Sequence, residues 1–266
     1  MKCTAVVPTY NEKENIEELI TQVLALGPEF HILVVDDNSP DGTGDIVHRL
    51  QQENNRVRVI HRARKSGLGT AYMDGMTLAL AEGAEFVVQM DADFSHPPAS
   101  VPKMLKIAEQ TGADVVIGTR YSGGGRIEGW PIARHLLSRG GNWYARVMLG
   151  RAFSDYTSGF MCHRASTLRE LPFREFGCSN FAFLLELKSE YGRRKLHIAE
   201  MPIEFVNRTR GASKISLGIV FEAFRIVVQI NRRTRRERAA GLVGAGSQTT
   251  DAIEALSAAE GPKEHP

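Results

Sequence analysis

The sequence predicts an α/β fold with a Rossmann-like, mostly parallel central sheet flanked by helices. Two observations support this prediction. Short apolar runs typical of buried strands alternate with longer amphipathic segments over residues 1–118. The apolar runs are followed by Pro, Asn, Asp or Gly, which commonly end strands and form turns. Strands that alternate with helices usually form parallel sheets with right-handed crossovers.

Five strands and four helices are expected in this region. The expected strands lie at 4–7, 32–35, 57–60, 85–90 and 114–118. The expected helices lie at about 12–26, 43–52, 67–81 and 99–110. In the first helix, Ile16, Leu19 and Val23 fall on one face, as in a helix that packs on a core.

After residue 118 the pattern becomes less regular. We expect a flexible glycine loop at 123–125 and a helix at about 131–150. A strand at 160–162, helices at about 165–171 and 179–191, and one or two strands at 197–206 follow. Pro202 removes a backbone donor, which predicts that the one or two strands at 197–206 are edge strands. Residues 239–266 are rich in Ala, Gly, Ser and Glu and predict a disordered tail.

Composition excludes several classes of protein. With a net charge of +2, the chain has no global field that favours nucleic acid, so we expect no nucleic-acid partner. Its three cysteines are widely spaced, which is typical of a reduced cytosolic protein without a disulfide framework or a thiolate zinc site. We expect neither a signal peptide nor a transmembrane helix, because no apolar run is long enough.

Two carboxylates, Asp91 and Asp93, directly follow the strand expected at 85–90. Both can reach one hard divalent cation at an open strand end, and such oxygen ligands suit Mg²⁺ or Mn²⁺. An isolated Asp-X-Asp is more often a pair of surface carboxylates or turn caps. The position favours a metal site, because ligands of open α/β sheets bind beyond the carboxyl ends of the strands.

Further carboxylates are expected at the same sheet edge. If the sheet is parallel, Glu12, Asp36 and Asp37 lie beside the Asp91–Asp93 pair. Such a cluster repels itself unless a cation or a donor-rich ligand binds it, and a nucleotide with its metal ion meets this need. The alternative is that Asp36, Asp37 and Asp41 only form Asx-type turns.

Cationic residues supply the other half of the predicted site. Lys65 precedes Gly67-x-Gly69, which we interpret as a tight turn because the dinucleotide fingerprint is incomplete. Lys65 is then either a ligand to sugar or phosphates or a solvated lysine. Planar guanidinium groups suit a second, acceptor phosphate. The candidates in the second half of the chain are Arg120, Arg126, Arg134, Arg139, Arg208 and Lys214.

A mostly apolar segment at 215–230 precedes a basic cluster at 232–238. Glu222 and Arg225 make it unsuitable for crossing a membrane. An apolar helix next to a basic cluster is typical of an interfacial helix on anionic lipid, or of one docked on a membrane-embedded partner. The alternative is an ordinary buried C-terminal helix.

Several segments together resemble the family 2 glycosyltransferases of GT-A fold, and among them the polyprenol-phosphate (dolichol-phosphate) mannose synthases. These segments are Pro8-Thr9-Tyr10-Asn11-Glu12, Asp36-Asp37-Asn38-Ser39-Pro40-Asp41-Gly42, Lys65-Ser66-Gly67-Leu68-Gly69-Thr70-Ala71-Tyr72, Asp91-Ala92-Asp93-Phe94-Ser95-His96-Pro97, Gly118-Thr119-Arg120-Tyr121, Arg134-x3-Ser138-Arg139-Gly140, Asp155-x-Thr157-Ser158-Gly159 and Arg208-x2-Gly211-x-Ser213-Lys214. The match covers roughly residues 3–231. The glycine-rich and C-terminal basic segments are the more specific ones.

The resemblance implies GDP-mannose as donor, polyprenyl phosphate as acceptor, and inversion at the anomeric carbon. It implies that Asp91 and Asp93 bind the metal, with Ser95 where some members have a Gln ligand. The implied nucleotide contacts are Pro8, Tyr10, Glu12, Asp37 and Ala92. The positions that match acceptor- or diphosphate-binding residues are Arg120, Arg134, Ser138, Arg208 and Lys214. The acceptor phosphate is already anionic, so no strong general base is expected, and Arg208 and Lys214 are expected to stabilise the departing GDP.

These arguments divide the chain into a catalytic domain at 1–212, a basic interfacial helix at 213–238 and the tail at 239–266. We expect a cytoplasmic protein on the inner face of a membrane. One alternative is transfer of glucose or another sugar by the same fold. A metal-dependent nucleotidyltransferase and a non-catalytic binding module are two more distant possibilities.

Overall fold

A computed structural model describes residues 1–150, 153–176, 180, 182–206, 217–239 and 249–251. The strands are β1 Cys3–Thr9, β2 Phe30–Asp36, β3 Val57–His61, β4 Phe86–Gln89, β5 Val115–Thr119, β6 Arg126–Glu128, β7 Met161–Arg164, β8 Ile198–Pro202, β9 Glu204–Val206 and β10 Thr249–Asp251. The α-helices are α1 Ile16–Ala25, α2 Thr43–Glu53, α3 Leu68–Ala81, α4 Val101–Thr111, α5 Ile132–Leu149, α6 Ala165–Glu170, α7 Ala182–Arg194 and α8 Leu217–Ala239.

The main sheet has the strand order β3-β2-β1-β4-β7-β5-β8-β10. Its strand pairs are parallel except those of β7, which runs antiparallel between β4 and β5. The predicted mostly parallel α/β sheet is therefore confirmed. The parallel unit expected over 1–118 is interrupted, however, because a strand from later in the chain separates β4 from β5.

Alternate residues along β1 pack into different cores. Ala5 and Val7 join the core under α1, α2 and α4, whereas Val6 joins the core under α3, α5, α7 and α8. Successive side chains of a strand point to opposite faces, so this alternation shows that both faces are covered.

Two expectations for the C-terminal part need correction. β8 is an interior strand between β5 and β10, and Pro202 occupies its last position, where the loss of a donor is tolerated. The edge assignment for β8 was therefore wrong, while β9 pairs with β6 in a separate two-stranded sheet. The tail expected over 239–266 includes the short strand β10, and residues 240–248 and 252–266 lie outside the described ranges.

Helix α8 packs against the body of the protein. Ile226, Val227 and Ile230 are 8%, 2% and 3% exposed and belong to the core that α5 and α7 share. Phe224 contacts Tyr144 of α5, with ring centroids 4.6 Å apart. These residues favour the alternative of a C-terminal core helix over burial of the same side chains in lipid. No helix in the described part of the chain is both long and apolar enough to cross a membrane.

Candidate active site

The carboxyl ends of β1, β2 and β4 are adjacent. β1 lies between the other two, with Thr9 in register with Asp36 and Val6 in register with Gln89. The chain therefore leaves these strands on one edge of the sheet, as the parallel arrangement requires. This places Tyr10, Asp37 and Asp91 at the same edge.

The two aspartates after β4 differ in their surroundings. The side chain of Asp91 is 36% exposed, whereas Asp93 is only 6% exposed. The backbone N–H of Ser95 donates to Asp93 Oδ1 at 3.1 Å, which braces the turn from within. Asp91 is thus the more accessible of the two carboxylates.

Tyr72 and His96 support the aspartate turn from the core. Tyr72 OH donates to Asp91 Oδ1 at 3.4 Å, and burial, reinforced by the charge of Asp91, raises the pKa of Tyr72 well above its usual value. His96 Nδ1 accepts the backbone N–H of Asp91 at 3.0 Å, and its ring stacks on Phe160 with centroids 4.9 Å apart. Burial lowers the pKa of His96 despite the opposing charges of Asp91 and Asp93. A neutral imidazole is the form that can accept this hydrogen bond.

The expected nucleotide contacts that follow β1 meet Lys65 from the β3–α3 connection. Lys65 Nζ lies 3.9 Å from the centroid of the Tyr10 ring, which is a cation–π contact. Pro8 is partly buried within β1, and Glu12 and Ala92 are 9% and 4% exposed. The structure therefore brings Lys65 to the edge where Tyr10 lies, although the two are distant in sequence.

Asp37 is held by the segment that carries Lys65. Its Oδ2 accepts the backbone N–H groups of Ser66 and Gly67 at 3.2 and 3.3 Å, and its Oδ1 lies 3.1 Å from Arg62 Nε. Arg62 also donates to the hydroxyl of Thr70 at 2.7 Å. The ion pair and these hydrogen bonds fix the β3–α3 connection over the end of β2.

Asp36 has a different role from its neighbour. It is 2% exposed and accepts hydrogen bonds from the hydroxyl of Thr9 at 2.8 Å, the hydroxyl of Ser39 at 2.5 Å and the N–H of Ser39 at 2.9 Å. Asp41 likewise accepts the N–H and hydroxyl of Thr43. These bonds favour the turn interpretation for Asp36, whose oxygens already have three donors within the protein.

Arg120 follows β5 and forms a bidentate pair with Asp155. Its Nε and Nη2 donate to the two carboxylate oxygens at 2.7 and 2.9 Å, and Nη2 also donates to Thr157 Oγ1 at 2.6 Å. Arg120 is 9% exposed and Asp155 is fully buried. Burial lowers the pKa of Arg120, but the charge and hydrogen bonds of Asp155 outweigh it and raise the pKa, with a smaller contribution from Asp91. A permanent cation therefore lies within the electrostatic range of the aspartate turn.

An aromatic cluster connects Arg120 to the start of α5. The guanidinium of Arg120 lies 5.6 Å from the Trp130 ring, and that of Arg134 lies 4.2 Å from the same ring. Tyr121, also in contact with Arg120 at 5.4 Å, shares a 2.7 Å hydrogen bond with Ser138. The structure thus groups three predicted acceptor-site residues around two aromatic rings.

The remaining predicted residues are not part of this group of contacts. Arg139 is exposed on α5, about 100° around the helix axis from Ser138. Arg208 and Lys214 lie outside the described residues. Their assignments to acceptor or diphosphate binding stay predictions.

Five residues that contribute to this geometry had no role in the sequence-based prediction: Arg62, Tyr72, His96, Asp155 and Lys188. Three of them lie within segments that carry the family resemblance. Lys188 had a local signal of its own, because it occupies a core-facing position of α7 where the helical pattern calls for an apolar residue. Arg62 had no local signal, since its partners are Asp37, which follows β2, and Thr70 at the start of α3.

The family model described as glycosyl transferase family 2 matches residues 4–176. The chain belongs to this family. As a family 2 glycosyltransferase it is 40% identical over 232 residues to the undecaprenyl-phosphate mannosyltransferase of Micrococcus luteus, covering 87% of this chain and 93% of that protein. It is 38% identical over 239 residues to the polyprenol monophosphomannose synthase of Mycolicibacterium smegmatis, covering 90% of each. These relatives confirm the resemblance to the polyprenol-phosphate mannose synthases.

A solved structure shows the same fold. The glucosyl-3-phosphoglycerate synthase of Mycobacterium tuberculosis, in complex with Mn²⁺, uridine diphosphate and glucosyl-3-phosphoglycerate, superposes with a TM-score of 0.60 at 21% identity. The match covers 87% of this chain and 80% of that chain. The predicted GT-A fold of this family 2 glycosyltransferase is thereby confirmed.

The aspartate turn of this family 2 glycosyltransferase fits a divalent cation. Asp91 offers an accessible carboxylate, and Asp93 lies two residues away in the same turn. Carboxylate oxygens are the ligands that Mg²⁺ and Mn²⁺ prefer, and such ions keep positions for water and substrate phosphate. Ser95 is 3% exposed, and its role as a third ligand stays a prediction.

Proposed function

We propose that this glycosyltransferase moves mannose from GDP-mannose to polyprenyl phosphate with inversion at the anomeric carbon, giving polyprenyl-phosphate mannose and GDP. The observation that carries the proposal is that strand-end carboxylates and a buried guanidinium lie at one edge of the sheet. Asp91 and Asp93 offer carboxylates suited to a metal-bound nucleotide, while Arg120 offers a buried, permanently charged guanidinium. A reaction between a sugar nucleotide and a second phosphate needs both the carboxylates for the metal-bound nucleotide and the cation for the second phosphate.

The proposed donor side consists of the residues at the ends of β1, β2 and β4. Tyr10 provides an aromatic ring, Lys65 provides a cation that lies over this ring, and Asp37 accepts hydrogen bonds from the β3–α3 connection that carries Lys65. Mannose as the sugar is supported by the names of the two relatives, which are mannose-transferring enzymes. GDP as the nucleotide is the expectation that the family resemblance gives.

The proposed acceptor side is the cluster of Arg120, Arg134 and Ser138. The guanidinium groups of Arg120 and Arg134 lie 5.6 and 4.2 Å from the centroid of the Trp130 ring, and we propose that together they bind a monoester phosphate. The names of the relatives, which include undecaprenyl phosphate and polyprenol, support a prenyl phosphate as the acceptor. The cluster also lies at the start of α5, which carries most of the exposed large hydrophobic side chains among the residues that the structure describes.

The proposed chemistry depends mainly on positioning and charge. A bound divalent cation would neutralise charge on the donor diphosphate and so assist its departure. Arg120, fixed by Asp155 and Thr157, holds the acceptor phosphate so that one of its oxygens faces the anomeric carbon. That oxygen is anionic at neutral pH and attacks without a strong general base. Arg208 and Lys214 are proposed to stabilise the departing nucleoside diphosphate.

We propose that α5, rather than Ile226, Val227 and Ile230 of α8, inserts into the membrane surface. Ile132, Leu136, Trp143 and Val147 are 79%, 68%, 67% and 51% exposed. Their spacing of four, seven and four residues places them on one face of the helix. An exposed apolar stripe of this kind is typical of an interfacial helix. A prenyl chain extending from the proposed phosphate cluster would continue along this face into lipid.

The basic residues of α8 add the second component of the proposed membrane contact. Arg225, Arg232, Arg233, Arg235 and Arg236 are exposed. Each arginine near an anionic surface contributes about 1 kcal/mol of attraction, which salt screens. We therefore propose peripheral binding to anionic lipid that weakens as ionic strength rises.

A transfer assay tests the proposed reaction. Purified protein, Mn²⁺ or Mg²⁺, radiolabelled GDP-mannose and polyprenyl phosphate in vesicles are expected to give a labelled lipid product and GDP. Substituting UDP-glucose is expected to give far less product. Preferential transfer from UDP-glucose would refute the sugar assignment, and release of pyrophosphate would support a nucleotidyltransferase instead.

A vesicle assay tests the proposed membrane surface. Trp143→Glu is expected to weaken flotation with anionic vesicles and transfer to long-chain acceptor, while transfer to a short, water-soluble prenyl phosphate is retained. The matched control is Gln110→Glu, which adds the same charge at an exposed position of α4 on the other face of the sheet. Equal flotation of Trp143→Glu and wild type would exclude α5 as the contact surface.

A further inference from the structure

A lysine in the middle of α7 is completely buried. Lys188 is 0% exposed, and its Nζ donates to the backbone carbonyl oxygens of Asp155, Tyr156 and Ser158 at 2.9, 3.0 and 2.6 Å. An ammonium group has three donors, so these bonds use all of them. Burial lowers the pKa of Lys188 to about 7, against the opposing charge of Asp155. Burying a lysine in the core costs free energy, and an apolar residue of similar volume would ordinarily give the fold equal stability.

The three carbonyl groups belong to the loop that supports Arg120. Within this loop, Asp155 and Thr157 accept all three of the hydrogen bonds that Arg120 Nε and Nη2 donate. Ser158 Oγ donates to the carbonyl of Gly118 at 2.5 Å, which ties the loop to the end of β5. The loop therefore lies between a buried cation of α7 and the cation that follows β5.

Other contacts of the same loop come from more distant elements. Asn142 of α5 donates to the carbonyl of Ser154 and accepts the N–H of Tyr156 at 2.7 Å. Glu200 of β8 accepts the N–H of Ser154 at 2.7 Å. These bonds hold the beginning of the loop, whereas Lys188 is the side chain that spans three carbonyl groups from Asp155 to Ser158.

We propose that Lys188 is a positioning residue for the acceptor phosphate: it fixes the 155–158 loop, and through Asp155 and Thr157 the loop fixes the guanidinium of Arg120. The inference rests on the proposed function in that Arg120 is taken to bind the acceptor. Without Lys188, three buried carbonyl groups lose their donors, and the loop has to rearrange to find others. A small displacement of Arg120 is then expected to weaken acceptor binding, while the donor side at the ends of β1 and β2 is unaffected.

Steady-state kinetics on Lys188→Met test the proposal. We expect the KM for prenyl phosphate to rise about tenfold or more, with the KM for the sugar nucleotide within about twofold of wild type. Lys188→Gln keeps two N–H donors and is expected to fall between wild type and Lys188→Met. If Lys188→Met does not fold, the same comparison of KM values is made with Lys188→Gln. The matched control is Tyr191→Phe, which removes a buried hydrogen bond to His163 from the same helix and is expected to leave both KM values unchanged.

A double-mutant cycle with Arg120→Gln separates positioning from general destabilisation. If Lys188 acts through Arg120, adding Lys188→Met to Arg120→Gln is expected to raise the acceptor KM no further. Multiplicative effects of the two changes, or equal increases of donor and acceptor KM in Lys188→Met, would overturn the proposal. A wild-type protein that transfers no sugar to prenyl phosphate would instead refute the proposed function. The two failures are therefore distinguishable.

Discussion

Replacing Asp155 by Asn tests the buried charge pair that supports Arg120. Asp155 is fully buried and accepts both hydrogen bonds of a bidentate contact. Burial by itself raises the pKa of this carboxyl group. The charge and hydrogen bonds of Arg120, with a further contribution from Lys188, outweigh burial and lower the pKa from 3.8 to about 2. Asparagine keeps the shape of the side chain but removes the charge on which this balance depends.

The structure gives the expected size of the effect. The lowering of the pKa from 3.8 to about 2 corresponds to about 2.5 kcal/mol of stabilisation by the ionised form. Removing one member of a buried pair also leaves the other charge unpaired, which typically costs about 3–5 kcal/mol in total. We therefore expect Asp155→Asn to lower the free energy of unfolding by about 3 kcal/mol at neutral pH.

The pH dependence has a definite direction. Because the folded-state pKa lies below the unfolded-state value, the stabilisation is present above the unfolded-state pKa near 3.8. It is lost as the pH falls toward the folded-state pKa of about 2. We expect the wild type to lose this contribution in acid, and Asp155→Asn to lack that part of the acid dependence.

Urea unfolding at a series of pH values, followed by circular dichroism, measures both effects. The control is Glu17→Gln, which removes an ion pair with Arg49 whose side chains are 53% and 54% exposed. Such a surface pair is expected to contribute less than about 1 kcal/mol. The reasoning is refuted if Asp155→Asn unfolds with the wild-type free energy, or if it retains the full acid dependence of the wild type.

Three further predictions concern the aspartate turn, the core and the donor side. Asp91→Ala is expected to abolish transfer with little change in melting temperature, and substantial residual turnover in the transfer assay would contradict the metal assignment. Gly75→Ala places a methyl group against Val6, and within 3.0 Å of Val35, so overpacking is expected to cost about 1–3 kcal/mol in thermal unfolding. An unchanged or raised melting temperature of Gly75→Ala would contradict the expected overpacking. Lys65→Ala removes the cation over Tyr10 and is expected to weaken nucleotide binding several-fold by calorimetry, with unchanged affinity as the contrary result.

Neighbouring aspartates show where sequence reasoning reached its limit. Asp36 is the last residue of β2 and Asp37 follows it, and the two are indistinguishable by residue type. In the structure, Asp36 is satisfied by Thr9 and Ser39, whereas Asp37 is held by Arg62 and the loop that follows it. Consecutive side chains at a strand end point to opposite sides, so the two carboxylates meet different partners. The alternation of side chains along a strand could not by itself identify these partners.

The two amphipathic helices show a second limit. The apolar pattern of α8 predicted a helix with a broad apolar arc, and that of α5 predicted a helical face, but a pattern does not say whether protein or lipid covers it. The structure buries Ile226, Val227 and Ile230 of α8 and leaves Trp143 and Leu136 of α5 exposed. Burial is decided by neighbouring elements, which only the assembled fold supplies.

The sequence by itself determined the alternation of strands and helices, and with it the sheet edge where the strand-end carboxylates had to meet. This follows from local hydrophobic period and from the geometry of parallel strands. Only the tertiary structure decided that β7 separates β4 from β5, that Trp130 joins Arg120 to Arg134, and that Lys188 lies under the loop supporting Arg120. These contacts join residues far apart in the chain, and no local pattern encodes which distant groups will pack together.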